Sequence, residues 1–111
     1  MIEKLKEVKA RFLQVEAELA KPETMADMER YTSLMREYKS LQPVVEKYDL
    51  YEKYTRDCAE AVQLLESESD GELRDLAQEE YHTLREQIAK TEEELKILLL
   101  PKDPNDDKNV I

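Results

Sequence analysis

The sequence predicts an all-α fold: an elongated antiparallel bundle of about three long helices with coiled-coil-like packing. Three observations carry that prediction. Ala, Glu, Lys, Leu and Arg supply just over half of the 111 residues, a composition that goes with long helices and coiled coils. The chain holds one Gly and four Pro, so it has few places to turn. Its apolar residues recur at spacings of three and four, which put them on one stripe of an α-helix with the charges on the other face.

The longest stripe spans Asp27 to Glu66, through Met28, Tyr31, Leu34, Tyr38, Leu41, Val45, Tyr48, Tyr51, Tyr54, Cys58, Ala61 and Leu65. At ~1.5 Å per residue a helix of that length is roughly 60 Å long. A compact domain of this size cannot enclose such a rod, so other helices must lie alongside it. Pro43 is its one flaw, because proline cannot donate to the carbonyl of Lys39 and its ring crowds that turn. The stripe keeps its phase across Leu41 and Val45. A central helix kinked near Pro43 is therefore expected, rather than a break capped by Gln42.

The first helix covers residues 2–20, with Ile2, Leu5, Val8, Phe12, Val15 and Leu19 in register. Pro22 ends it. Thr24 opens a capping-box pattern for the long helix, and Asp27 is the competing cap. Residues 67–71 form the second turn, where Ser69 and Glu72 make a capping box and Asp70 complements the helix dipole. The third helix runs to about Leu100 through Leu73, Ala77, Leu84, Ile88, Leu95 and Leu98. Glu80 and Thr91 fall in register and thin its stripe, so its middle is expected to be incompletely buried. Residues 1–100 thus form a helical domain. Residues 101–111 pass from Pro, Asp and Asn turn chemistry into Val110 and Ile111, which read as a linker and the truncated start of a further domain.

The formal net charge is −10 and the pI about 4.6. That balance argues against wrapping a phosphate backbone as the main task, since clustered Lys and Arg drive such binding. The acid is unevenly placed. Residues 1–21 hold five bases and four acids, whereas residues 67–100 hold four and ten. An electropositive first helix and an electronegative third suit one another as neighbours. Lys4, Lys6, Lys9 and Arg11 form the basic patch, read first as pairing with the acidic third helix and second as touching RNA at one edge. One cysteine excludes an internal disulfide and fits a reducing compartment. No apolar run approaches the ~18 residues of a membrane span, and the N-terminus is not signal-like. A soluble, cytoplasmic protein with no membrane partner is expected.

Candidate chemical sites are few. Glu79 and His82 have the Glu-x-x-His spacing of di-iron bundles, but those need two such motifs and this chain has one His. A surface pair, with His82 touching Glu86, is the simpler account. Cys58 lies on the apolar stripe and reads as a small buried hydrophobe. Tyr31, Tyr38, Tyr48, Tyr51 and Tyr54 have core spacing, with hydroxyls reaching the rim, rather than the interleaving of a base-stacking platform. With no nucleophile–base pair, metal constellation or phosphate loop, neither an enzyme nor a cofactor is expected.

The closing run at Leu98–Ile111, Leu-Leu-Leu-Pro-x-Asp-Pro-x-Asp-x-x-x-Val-Ile, resembles the bacterial peptide chain release factors that read stop codons, the release factor 1 branch more than the release factor 2 branch. Lys4–Glu7, Glu29-Arg-Tyr31 and the segment from Glu37 to Glu46 add to the likeness, which covers all 111 residues. The resemblance implies the N-terminal domain of such a factor, with the UAA/UAG class of stop codons. The family's Gly-Gly-Gln and Pro-x-Thr motifs are absent, so no catalytic or decoding position carries over. What it implies for this part is a projecting helical domain near the ribosomal stalk base, with ribosomal RNA within its reach, that also meets the recycling class II release factor GTPase. A free-standing coiled-coil scaffold is the alternative that the helical pattern alone allows. Self-association of the fragment into a homodimer is one way to cover apolar surface left by a severed domain.

Overall fold

The computed structural model describes residues 1–101. Four helices follow one another: α1 (Ile2–Leu19), α2 (Pro22–Ala26), α3 (Met28–Ser67) and α4 (Gly71–Leu98). No strand occurs among the described residues. The expected β-strand start at Val110 and Ile111, and the linker before it, lie outside them. Three of the helices are long, as the stripes require. The fourth is a five-residue turn of helix that opens at Pro22, whose fixed φ and missing donor suit a first helical position.

α3 is one unbroken helix of 40 residues with Pro43 inside it. Its expected length matches the 61 Å long axis of the molecule. Continuity across Pro43 settles the choice between a break and a single helix. The packing that holds it is two-sided, because α3 packs against both α1 and α4. α1 runs antiparallel over its N-terminal half: Phe12 stacks on Tyr38 with ring centroids 4.9 Å apart. Near the same end Glu18 accepts from both Lys21 and Arg30, tying the close of α1 to the start of α3 across α2. α4 returns antiparallel along the C-terminal half, where Cys58 and Ala61 are buried on α3 and Ala77 and Leu84 on α4.

The two coverings meet only at the middle. Leu5 from α1, Val44 and Tyr48 from α3, and Leu95 from α4 form one buried cluster, with Val8, Tyr51 and Leu99 packed on it. Leu5 is 1% exposed and Leu95 0%. Val44 and Val45 are both buried, although successive residues lie ~100° apart around a helix. That is possible only where partners cover α3 from two directions. Val44 therefore belongs to the core although it lies off the single stripe, and Met28, on the stripe, is 70% exposed where no helix covers it.

The caps also choose among the sequence alternatives. Asp27 accepts from the backbone N–H of Arg30 at 3.2 Å and caps α3. Thr24 is fully buried instead, and its hydroxyl has no hydrogen-bond partner. At the second turn the cap is Asp70, not Ser69: it accepts from Glu72 N–H at 2.9 Å. The Glu68 carboxylate accepts from the N–H groups of Ser69 and Asp70. The seam of α4 corrects the expected one. Ala77, Leu84, Thr91 and Leu95 are buried, with Tyr81 and Ile88 half-buried between them. The spacings alternate four and three, so Tyr81 takes the seam position that Glu80 was expected to hold. Thr91 is a core residue whose hydroxyl donates to the carbonyl of Gln87 at 2.7 Å, which satisfies it without a partner helix. The middle of α4 is therefore covered.

Two measurements check this architecture. Small-angle scattering on the chain should return a radius of gyration close to the 19.8 Å of the Cα trace, well above the ~13 Å of a compact globule of this length. Leu95→Ala should cost about 2–5 kcal/mol in denaturant unfolding, as expected for deleting a fully buried leucine. Met28→Ala, far out on the exposed end, should stay within about 0.5 kcal/mol of the parent.

Candidate functional site

Helical geometry splits the basic patch of α1. Lys4 and Lys6 are two residues apart, hence roughly 200° apart around the axis, and so are Lys9 and Arg11. Lys4 and Arg11 share one flank of the Leu5–Val8–Phe12 seam, and Lys6 and Lys9 share the other. On each flank one cation is already engaged. Arg11 grips both carboxylate oxygens of Glu37, at 2.5 and 2.6 Å. Lys9 donates to Asp49 at 2.7 Å, with Glu52 at 3.8 Å. Their partners belong to α3, not to the acidic third long helix that the charge balance suggested. α4 meets α3 instead through the Lys47–Glu94 ion pair. The physical reason is topological: α1 and α4 cover opposite halves of α3 and so never run side by side.

Lys4 and Lys6 make no ion pair among the described residues. Lys6 shares a shallow notch with Ile2, Tyr51, Glu52, Thr55, Arg56 and Ala59, where α1 begins over the middle of α3. Tyr48 lines it too, and burial pushes the Tyr48 phenol above its ordinary value. An amine, a guanidinium and aromatic rings thus sit together there, with the Glu52 carboxylate among them.

A larger groove of about 570 Å³ opens on the other side of α3, lined by Pro43, Lys47, Leu50, Glu94, Ile97 and Leu98, with Glu46 at its edge. It is the surface that the single-stripe reading missed. Four successive apolar residues, Ile97 to Leu100, cannot all face one seam of a helix. Only Leu99 reaches the core cluster, which leaves Ile97 65% and Leu100 67% exposed.

The remaining candidates fall into place individually. Cys58 is a free, buried thiol on the α3–α4 seam. Tyr48 is buried, while Tyr31, Tyr38, Tyr51 and Tyr54 are half-buried along α3. His82 is exposed and meets the Tyr81 ring edge-on at 5.5 Å, and it makes no ion pair with Glu86. Arg85 lies over the same ring, 5.9 Å from its centroid. Among the described residues no three of His, Cys, Asp or Glu come together as a metal site would require, and no helix is long and apolar enough to cross a membrane.

The PCRF domain family matches residues 8–111. The chain belongs to that family. The PCRF-domain chain is similar over its whole length to proteins named peptide chain release factor 1. It is 49% identical to that of Finegoldia magna across 99% of its residues. It is 44% identical to that of Lachnoclostridium phytofermentans and 42% identical to that of Syntrophobacter fumaroxidans, each across its full length. In all three cases it spans only 31% of the relative. No solved structure matches it. The resemblance carried by Leu98–Ile111 therefore holds for the PCRF domain as a whole, helices included.

The ion pairs predict an acid-sensitive fold. Hydrogen bonds from Arg11, Lys47 and Lys21 hold Glu37, Glu94 and Glu18 respectively below the ordinary 4.5 of a glutamate. The unfolded chain then binds more protons than the folded one just below that value, so stability falls as pH falls through the lowered values. The melting temperature should drop between about pH 6 and about pH 3. In the Glu37→Gln/Glu94→Gln variant the slope should be shallower, and a thermal denaturation series against pH measures both.

Proposed function

We propose that this chain is the helical interaction domain of a peptide chain release factor, working in the cytoplasm in translation termination. It is a docking module without chemistry of its own. It places the factor against the stalk base and GTPase-associated region of the ribosome, and it offers a surface to the recycling class II release factor GTPase. The observation that carries this reading is the coverage: nearly all of the chain aligns with about a third of proteins named peptide chain release factor 1. The stop-codon class proposed with it is UAA/UAG, which the resemblance to the release factor 1 branch implies.

The architecture suits the task. A rod about 60 Å long presents surface far from wherever it is anchored, and it does so on one continuous helix. Lys4 and Lys6, the two amines of the patch left without carboxylate partners, are the residues proposed to meet ribosomal RNA or an acidic stalk-base surface. Lys9 and Arg11 hold α1 against α3 in support. Because the molecule as a whole carries −10, the contact is local and weak, and its strength falls with salt.

The test pairs two assays on the purified chain. It should release no peptide from ribosomes halted at a stop codon, and peptide release would overturn the assignment. It should be captured by the isolated stalk-base protein–RNA complex or by the GTPase. Lys4→Glu/Lys6→Glu should reduce that capture about 10-fold or more while leaving thermal unfolding unchanged. Capture of neither partner would reduce the domain to a structural spacer.

A further inference from the structure

The groove beside Pro43 holds apolar surface that the chain's own helices leave uncovered. Its apolar lining is Pro43, Leu50, Ile97 and Leu98, and Leu100, two residues further along the chain, is exposed as well. Contiguous exposed surface of that kind marks a contact in a water-soluble molecule. Three observations say what makes the contact. α4 ends at Leu98, which itself lines the groove, so the chain leaves the helix beside it. The chain spans only 31% of the relatives it matches, and on the release-factor reading proposed above, on which this inference rests, the aligned part is the N-terminal one and the remainder follows it. Whatever follows is tethered at short range, where the effective concentration is of the order of millimolar.

The other occupants fit less well. A second copy would set two molecules of net charge −10 against one another, with Glu46, which has no ion-pair partner among the described residues, in the contact. The Lys47–Glu94 pair spans the groove wall and cancels its own charge, leaving the floor suited to an apolar side chain and not to an anion. We propose that the groove is an intramolecular seat: the part of the polypeptide that follows residue 111 packs apolar side chains over Leu50, Ile97 and Leu98, fixing the angle between this rod and the rest of the protein. The seat stands on the length of the relatives and on the groove, and it holds whether or not the stalk-base contact does.

Thiol accessibility tests it. Ile97→Cys, Leu100→Cys and the distant control Met28→Cys are each introduced into the 111-residue chain and into the full-length protein. Reaction with N-ethylmaleimide is followed at each position by peptide mass spectrometry. All three side chains are exposed in the chain, so folding does not depend on them. In the full-length protein, positions 97 and 100 should react at least about 10-fold more slowly than in the chain, and position 28 should react equally in both. Equal rates at 97 and 100 in the two proteins would overturn the seat. So would protection already present in the short chain and growing with its concentration, which identifies a second copy. Protection that develops only when ribosomes are added identifies an outside partner, and overturns it too. Peptide release by the same full-length sample reads the termination proposal separately.

Discussion

One buried cluster holds the two halves of the molecule together. α1 with α3 forms one antiparallel pair and α3 with α4 another, and the two pairs share only the segment where Leu5, Val44, Tyr48 and Leu95 meet. Isolated helix pairs of this kind are marginal, because most helix stability comes from burying an amphipathic face. At the cluster α3 is covered from two directions at once, so its side chains there are held most firmly. Away from it each half relies on a single seam: Phe12, Val15 and Tyr38 towards one end, and Cys58, Ala61, Ala77 and Leu84 towards the other.

The charges follow from that geometry rather than causing it. The ion pairs Arg11–Glu37, Lys9–Asp49 and Lys47–Glu94 all cross from a flanking helix to α3 beside a seam. Exposed pairs like these contribute between nothing and about 1 kcal/mol each. Their larger effect is on register: a slip of one turn would set Lys9 and Arg11 away from their carboxylates and bring the acidic surfaces closer. The same pairing decides which cations remain for partners. It removes one from each flank of α1 and leaves Lys4 and Lys6.

Much of the fold was legible because a stripe with alternating spacings of three and four survives folding. The α1 seam of Leu5, Val8, Phe12 and Val15 was read directly, as was the long reach of α3. Two features were not legible, for different reasons. The α4 seam was drawn through Leu73, Glu80 and Leu98, and all three are exposed. Tyr81 takes the place of Glu80, and Thr91, read in register but as a weak point, is buried because its hydroxyl turns back on its own helix. The charge balance suggested that α1 and α4 would be neighbours. Net charge per segment carries no topology, and the choice between a three-helix cross-section and two successive pairs lies in which residues of α3 are buried. Adjacent Val44 and Val45 were the available sign, since two neighbours can both be core only under two partners. Lys4, Lys6, Lys9 and Arg11 were grouped by their closeness in sequence, whereas their division across two flanks follows from the 100° step alone.

The middle of α3 therefore does more than hold the core. Positions 43, 47 and 50 face the apolar groove, and positions 52, 55 and 56 face the notch with Lys6. On a helix these two sets lie on nearly opposite sides, and Tyr48, a member of the buried cluster, also lines the notch. One short stretch thus packs against α1 and α4 and also lines an apolar groove and a notch of mixed charge. A proline is tolerated there because its ring adds to the groove floor, and because packing from both flanking helices outweighs the one backbone hydrogen bond it removes. The apolar opening lies where the polypeptide leaves the domain. The notch lies where α1 begins. Any body attached through the first is held across the thickness of a single helix from any partner engaged by the second, and α3 is the rigid element between them.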